Sequence, residues 1–268
     1  MSALSLSRPL RPRGTASRAT PKSAAFGQIV LNEARLTWRR PVVLVAGVGA
    51  PVVLLVIFGE LPSFHKATAA LGGFTAFDLY VPILTVFSLA MLALLGLPLP
   101  LASYRELGVL RRLSTTPVPP SWLLTAQGII QLGIALASLA IIFTISVTAF
   151  GAPVPKSPAG LTLALAISAV GLFPIGLTVA AVAKTANAAS VIGRLAFFPL
   201  MFFAGLWLPR ALMPNLLQDI SNYTPLGAAV QAIQDSILQG FPPAAPLLVL
   251  AGYALVFAFL AKRFFRWE

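Results

Sequence analysis

The sequence predicts an all-α integral membrane protein with six transmembrane helices. Three observations lead there. Charged side chains make up 10% of the 268 residues, against about 25% in a soluble domain, too few to solvate a globular surface. Six apolar runs, 42–59, 79–102, 122–150, 160–183, 191–208 and 244–261, follow one another. The shortest reach about 27 Å as helices, enough for a hydrocarbon core with help from flanking residues. Lysine and arginine collect in alternate connections, 16 of the 19 on one side and only Lys66, Lys156 and Arg210 on the other. That bias places both termini and the 103–121 connection in the cytoplasm.

The net charge of +12 would suggest nucleic acid in a soluble protein. Here the basic residues fill the gaps between apolar runs, where a bilayer puts them, so membrane lipid is the expected partner and nucleic acid is not. Cysteine is absent, which excludes a disulfide framework, a thiolate metal site and a cysteine nucleophile.

Residues 1–23 are basic and rich in Ser, Pro and Gly, and are predicted to be a disordered cytoplasmic tail. They lack the apolar core of a signal peptide. Residues 24–40 form a predicted interfacial helix. Gln28, Asn32, Arg35 and Arg39 share one arc, and Phe26, Ile29, Val30, Leu36 and Thr37 lie opposite. Glu33 interrupts that apolar face, and Pro41 marks a break before the first span. Residues 41–268 then form the six-helix domain. Its internal prolines are tolerated where neighbouring helices satisfy the freed backbone groups.

The connection between the second and third spans concentrates charge. As a helix, it puts Leu107, Val109, Leu110 and Leu113 on one half and Arg105, Gly108, Arg111, Arg112 and Thr115 on the other. Pro117, Pro119 and Pro120 stop it, and Ser121 caps the next span. By residue type alone, two readings stand: a docking helix for a soluble partner, or a loop whose arginines only fix orientation. In the third span, Gln127, Gln131 and Ser138 fall within about 40° of one another, so the stripe faces protein or water. Either interhelical hydrogen bonds or substrate contact explains it. Phe202 and Phe203, with other aromatics of the fifth span, suit a flat amphipathic cargo or ordinary packing. In the 209–243 connection, Thr224, Pro225 and Gly240 bracket an amphipathic helix at the outer interface, re-entrant or lying beside the last span.

No G-x-x-x-x-G-K-[ST] or H-E-x-x-H pattern occurs, and His65 is the sole histidine. No catalytic, cofactor-binding or metal residue is therefore assigned, and the chain reads as a non-enzyme. The six runs contain no Asp or Glu, which argues against a proton-coupled carrier. A secondary transporter or a membrane scaffold remains the alternative from residue types alone.

The stretch YRELGVLRRLSTTPVPPSWLL, from residue 104, resembles the cytoplasmic segment of permease subunits of ABC type-2 exporters. The matching positions are Arg105, Glu106, Gly108, Leu110, Arg111, Arg112, Leu113, Thr116 and Pro117. Residues 198–240 resemble the same family's fifth span and the segment after it, and the likeness runs from about 24 to 261. Val109 departs from a frequent threonine and Ile83 from a frequent glycine. The resemblance implies that 105–117 is a coupling helix docked on a separate ATP-binding subunit, which holds ATP and Mg. Leu110 and Leu113 would anchor it, and the arginines would set its register, since an exposed ion pair contributes only about 0–1 kcal/mol. It also implies a second copy or a similar permease across the substrate path, and a location in the cytoplasmic membrane. The likeness is closest to drug and antibiotic-resistance members. It implies export of an amphipathic drug-like molecule or, alternatively, of a lipid or lipid-linked saccharide.

Overall fold

A computed structural model describes residues 22–39, 41–109, 112, 119 and 121–264. Among them the fold is all-helical, with no strand. Helix α1 (Lys22–Trp38) precedes an apolar helix made of α2 (Pro41–Leu44), a π-helical turn π1 (Val45–Gly49) and α3 (Ala50–Glu60). A long second helix comprises α4 (Ala76–Met91), π2 (Leu92–Gly96) and α5 (Pro98–Glu106). Then follow α6 (Ser121–Thr148), α7 (Pro158–Val182), α8 (Ala186–Ala204), α9 (Asn215–Tyr223), α10 (Pro225–Leu238) and α11 (Ala244–Phe264). Among the described residues, five helices are long and apolar enough to cross a membrane: Ala69–Glu106, which includes α4, π2 and α5, and α6, α7, α8 and α11. The first apolar run is helical, but its apolar stretch Val45–Glu60 is shorter than these five.

Cap chemistry sets where the helices begin. Thr75 and Asp78 form a reciprocal capping box, each side chain accepting the other's backbone N–H at 3.1 Å, so α4 starts before its apolar run. Ser157 caps α7 and Thr185 caps α8 more simply, each side chain accepting one backbone N–H, from Gly160 and Ala188. The cap at Thr185 starts α8 at Ala186 rather than at the predicted 191, and so carries Arg194 about 12 Å into the helix. The exposed Arg194 side chain turns back one turn, and its Nε donates to Ser190 Oγ at 3.2 Å.

The segment after α8 holds two helices where the sequence suggested one. Thr224 caps α10 through a 3.1 Å bond from Gly227 N, Pro225 opens it, and Gly240 (φ +138°) follows its end. It does not lie on a surface. Leu226, Ala228, Ala229, Val230, Ala232 and Ile233 are fully buried, enclosed by α4, α7, α8 and α11. The shorter α9 leaves Leu216, Ile220 and Tyr223 exposed.

In a bilayer, apolar area alone does not hold helices together, because lipid is as apolar as leucine. Close backbone approach and hydrogen bonds do. The close approach is concentrated at π2. A β-carbon on Gly176 of α7 would stand 1.9 Å from Ala93 O, and one on Gly193 of α8 would stand 2.3 Å from Leu94 O. Two helices thus press bare backbone against one distorted turn. Gly176→Ala is expected to destabilise the fold by at least about 1–3 kcal/mol, the usual cost of overpacking. Gly252→Ala, where a β-carbon meets nothing within 4 Å, should be neutral or stabilising. Thermal unfolding of the two purified variants checks the contrast.

Candidate functional site

The site is built at the end of the bundle that carries α1, the last turn of α5 and the first turns of α6. Glu33, which interrupts the apolar face of α1, is only 6% exposed. Tyr104 Oη donates to its Oε1 at 3.0 Å and its Oε2 at 2.9 Å, and Gln127 Nε2 donates to Oε2. Burying a carboxylate is costly unless hydrogen bonds replace its water. These donors come from α5 and α6, so the amphipathic helix is tied to two other elements by its one acid. Around the acid, Phe26 meets the Trp122 ring edge-on at 5.6 Å, and Ile29 packs on Tyr104 and Leu123.

Arg105 and Glu106, the first residues of the expected coupling segment, reach the turn between α7 and α8. Arg105 Nη1 donates to the carbonyls of Ala180 (3.0 Å), Ala181 (3.2 Å) and Ala183 (2.9 Å), at the α7 C-terminus. Glu106 Oε2 accepts from Ala186 N at 2.9 Å, at the α8 N-terminus. A cation thus meets unpaired carbonyls at the negative end of one helix dipole, and an anion meets the amide end of the next. Gly108 (φ +68°) then turns the chain out of α5. Leu107 is 72% exposed, and Arg112, also exposed, donates its backbone N–H to Gly108 O at 3.1 Å. Leu110, Arg111, Leu113, Thr116 and Pro117 lie outside the described residues.

The polar stripe of α6 is buried along its length. Gln127 joins Glu33, Gln131 packs against Gly96 of π2, and the Ser138 and Ser88 hydroxyl oxygens lie 2.9 Å apart. Ser88 also donates to Gly47 O in π1, so both π-helical turns are contacted from this stripe. Among the described residues, Gln127 Oε1 and Gln131 Oε1 are buried without a hydrogen bond. Phe202 and Phe203, half-buried with rings 5.5 Å apart, sit at the other end of α8. There Ser221 of α9 donates to Phe203 O.

At that other end lies a feature the sequence reading missed. Gly205 (φ +96°) ends α8. Arg210 then donates through Nη1 to Gly227 O (3.1 Å) and through Nη2 to Asn222 Oδ1. A cavity of about 250 Å³ separates α4 from α10, with Arg210 and Asp235 in its wall. Burial pushes Arg210 below the usual guanidinium range, opposed by Asp235. Burial pushes Asp235 above the usual carboxyl range, opposed by Arg210.

Glu33→Ala would remove the carboxylate that accepts from Tyr104 and leave the buried Gln127 amide without that acceptor, costing about 1–3 kcal/mol. Because the groups act together, a double-mutant cycle of Glu33→Ala with Tyr104→Phe should give a coupling energy of about 0.5–3 kcal/mol. Thermal unfolding of the four proteins measures it, and strict additivity would deny the contact.

The sequence pattern of the ABC-2 type transporter family matches residues 24–238, from α1 to the end of α10. Among curated proteins the chain is similar to "Putative transport permease ycf38" of Porphyra purpurea, 29% identical over 207 residues, covering 74% of this chain and 68% of that protein. It is similar to the ycf38 protein of Pyropia yezoensis, 28% identical over 201 residues, covering 72% and 67%. It is also similar to "Putative transport permease YvfS" of Bacillus subtilis (strain 168), 25% identical over 189 residues, covering 68% and 75%. The matched region contains both the α1–Tyr104–Gln127 contact and the Arg105–Glu106 pair on the α7–α8 turn, and with its five membrane-length helices the chain belongs to the ABC-2 type transporter family of membrane transport permeases.

Proposed function

We propose that the chain is the permease subunit of an ATP-driven exporter of the cytoplasmic membrane, moving an amphipathic, drug-like molecule outward. Permeases of this family work with an ATP-binding subunit, and in this reading that subunit holds ATP and Mg and grips residues 105–117. The helix 41–60, about 30 Å long, makes a sixth crossing. The lysine and arginine bias puts both termini inside. A second copy, or a similar permease, completes the path.

One observation carries the coupling: Arg105 and Glu106 join the end of α5 to the α7–α8 turn. A push on the segment beginning at Arg105 therefore reaches three membrane-length helices at their shared end. Those bonds need no partner to form, so the pair acts as the transmission. Docking falls to the residues beyond Gly108. Leu110 and Leu113 supply its apolar part, and Arg111 and Arg112 its register.

Replacing Leu110 and Leu113 together by Asp should release a co-expressed ATP-binding subunit during purification without lowering the yield of the permease. Vesicles carrying the intact pair should accumulate an amphipathic dye with ATP and stop with vanadate. Retention of the subunit by the double variant would contradict the docking role. Vanadate-resistant accumulation would contradict ATP-driven transport.

A further inference from the structure

Arg194 takes no part in the coupling contacts, and it lies where a cation is costly. Helix α8 has 19 residues, about 28 Å, close to the thickness of a hydrocarbon core. Arg194 branches from it about 12 Å past its start and is exposed. The side chain turns back toward that start, where Nε and Nη2 donate to Ser190 Oγ at 3.2 and 2.5 Å. This brings the guanidinium to about 6 Å from the helix start, one turn nearer the surface. A guanidinium carries five N–H donors. Two meet the one serine oxygen, and the other three have no acceptor among the described residues. The described acids nearest this end are committed elsewhere, Glu33 to Tyr104 and Gln127, and Glu106 to Ala186 N. Acyl chains accept no hydrogen bond, so a charge on this face calls for a partner.

The exposed face of α8 says what that partner is. At the α7–α8 turn the exposed side chains are polar, with Lys184 and Asn187 among them. Past Asn187, those other than Arg194 are apolar: Val191, Ile192, Leu195, Phe198 and Pro199. Leu195 is 70% and Phe198 57% exposed, and both share a side of the helix with Arg194. Polar, then cationic, then apolar is the order in which a phospholipid presents head group, phosphate and acyl chain. We propose that Arg194 and Ser190 hold the phosphate of a resident anionic phospholipid in the leaflet level with the α7–α8 turn. One acyl chain lies along Leu195 and Phe198, and Lys184 attracts the charge of the head group. The forked donors of arginine match phosphate oxygens, and the serine hydroxyl adds one more donor. A second copy packed through this face about a two-fold axis would bring another Arg194 and no acid. The site requires only that α8 cross the membrane, not that transport be driven by ATP.

Binding is testable on the full chain, delipidated in dodecyl maltoside, without nucleotide or partner. Thermal unfolding is followed as dioleoylphosphatidylglycerol is added, and the melting temperature should rise and saturate. Dioleoylphosphatidylcholine, with the same chains and a neutral head group, should need a concentration at least about tenfold higher. Arg194→Gln should raise the phosphatidylglycerol midpoint about tenfold, the effect of losing a charged hydrogen-bonding partner. It should leave the lipid-free melting temperature unchanged, because the side chain is exposed. Lys262→Gln, which removes an exposed cation from the last turn of α11, should leave the midpoint where it is. Should Arg194→Gln fail to fold, Arg194→Lys keeps the charge without the fork and should raise the midpoint about threefold. Equal effects of Arg194→Gln and Lys262→Gln, or a wild-type midpoint in Arg194→Lys, would reduce the binding to general charge attraction and overturn the site. A rise of the same size with glycerol phosphate or inorganic phosphate would assign Arg194 to a soluble anion and overturn the lipid. Saturable lipid binding in a protein that shows no ATP-driven transport would count against the exporter reading alone.

Discussion

The arrangement depends on one electrostatic contact, the closure of the α7–α8 turn by Arg105 and Glu106. An α-helix ends in carbonyls that lack partners and begins in amides that lack them. Where one helix stops and the next starts within a few residues, both deficits fall at the same place, with opposite signs. The Arg-Glu pair at the end of α5 meets both, with the guanidinium on Ala180, Ala181 and Ala183 and the carboxylate on Ala186. Exchanging the two residues would reverse both contacts, so their order in the sequence matters as well as their identity.

Deeper in the bundle the same economy of polar groups recurs. Ser88 and Ser138 gather on the Gly47 carbonyl of π1, and Gln131 lies on π2. A π-helical turn widens the helix and interrupts its regular hydrogen bonding. Both such turns are supported from outside, by hydroxyls at π1 and by closely approaching glycine backbones at π2. Helices that must shift against one another need contacts of this kind, short-ranged and directional, because lipid offers no hydrophobic drive to re-seat them.

Much of the architecture was legible in the sequence because its signals are local. Run length marked the membrane-length helices, and Thr224, Pro225 and Gly240 marked α10. The stripe of Gln127, Gln131 and Ser138 was legible as a face that must avoid lipid, and all three are buried. What escaped depends on distant partners. The start of α8 was placed late, because its first turns are polar and are held by Thr185 and by Glu106 from another helix. Glu33 read as a flaw in an amphipathic face. It is instead an acceptor for Tyr104 and Gln127, 71 and 94 residues away. The depth of α10 was left open between an interfacial and a re-entrant placement, because amphipathic spacing looks the same at a membrane surface and inside a bundle. The π turns have no residue signature at all.

In the proposed coupling, the end of α5 at Arg105 and Glu106 and the α7–α8 turn move as one body. The chain has no cysteine, so Val109→Cys and Lys184→Cys provide two unique spin-label positions, one on each side of the clamp. Their separation, measured by pulsed electron resonance in the assembled transporter, should be the same without nucleotide and after vanadate trapping, and should change between those states once Arg105 is replaced by alanine. A wild-type separation that changes on trapping would contradict the account.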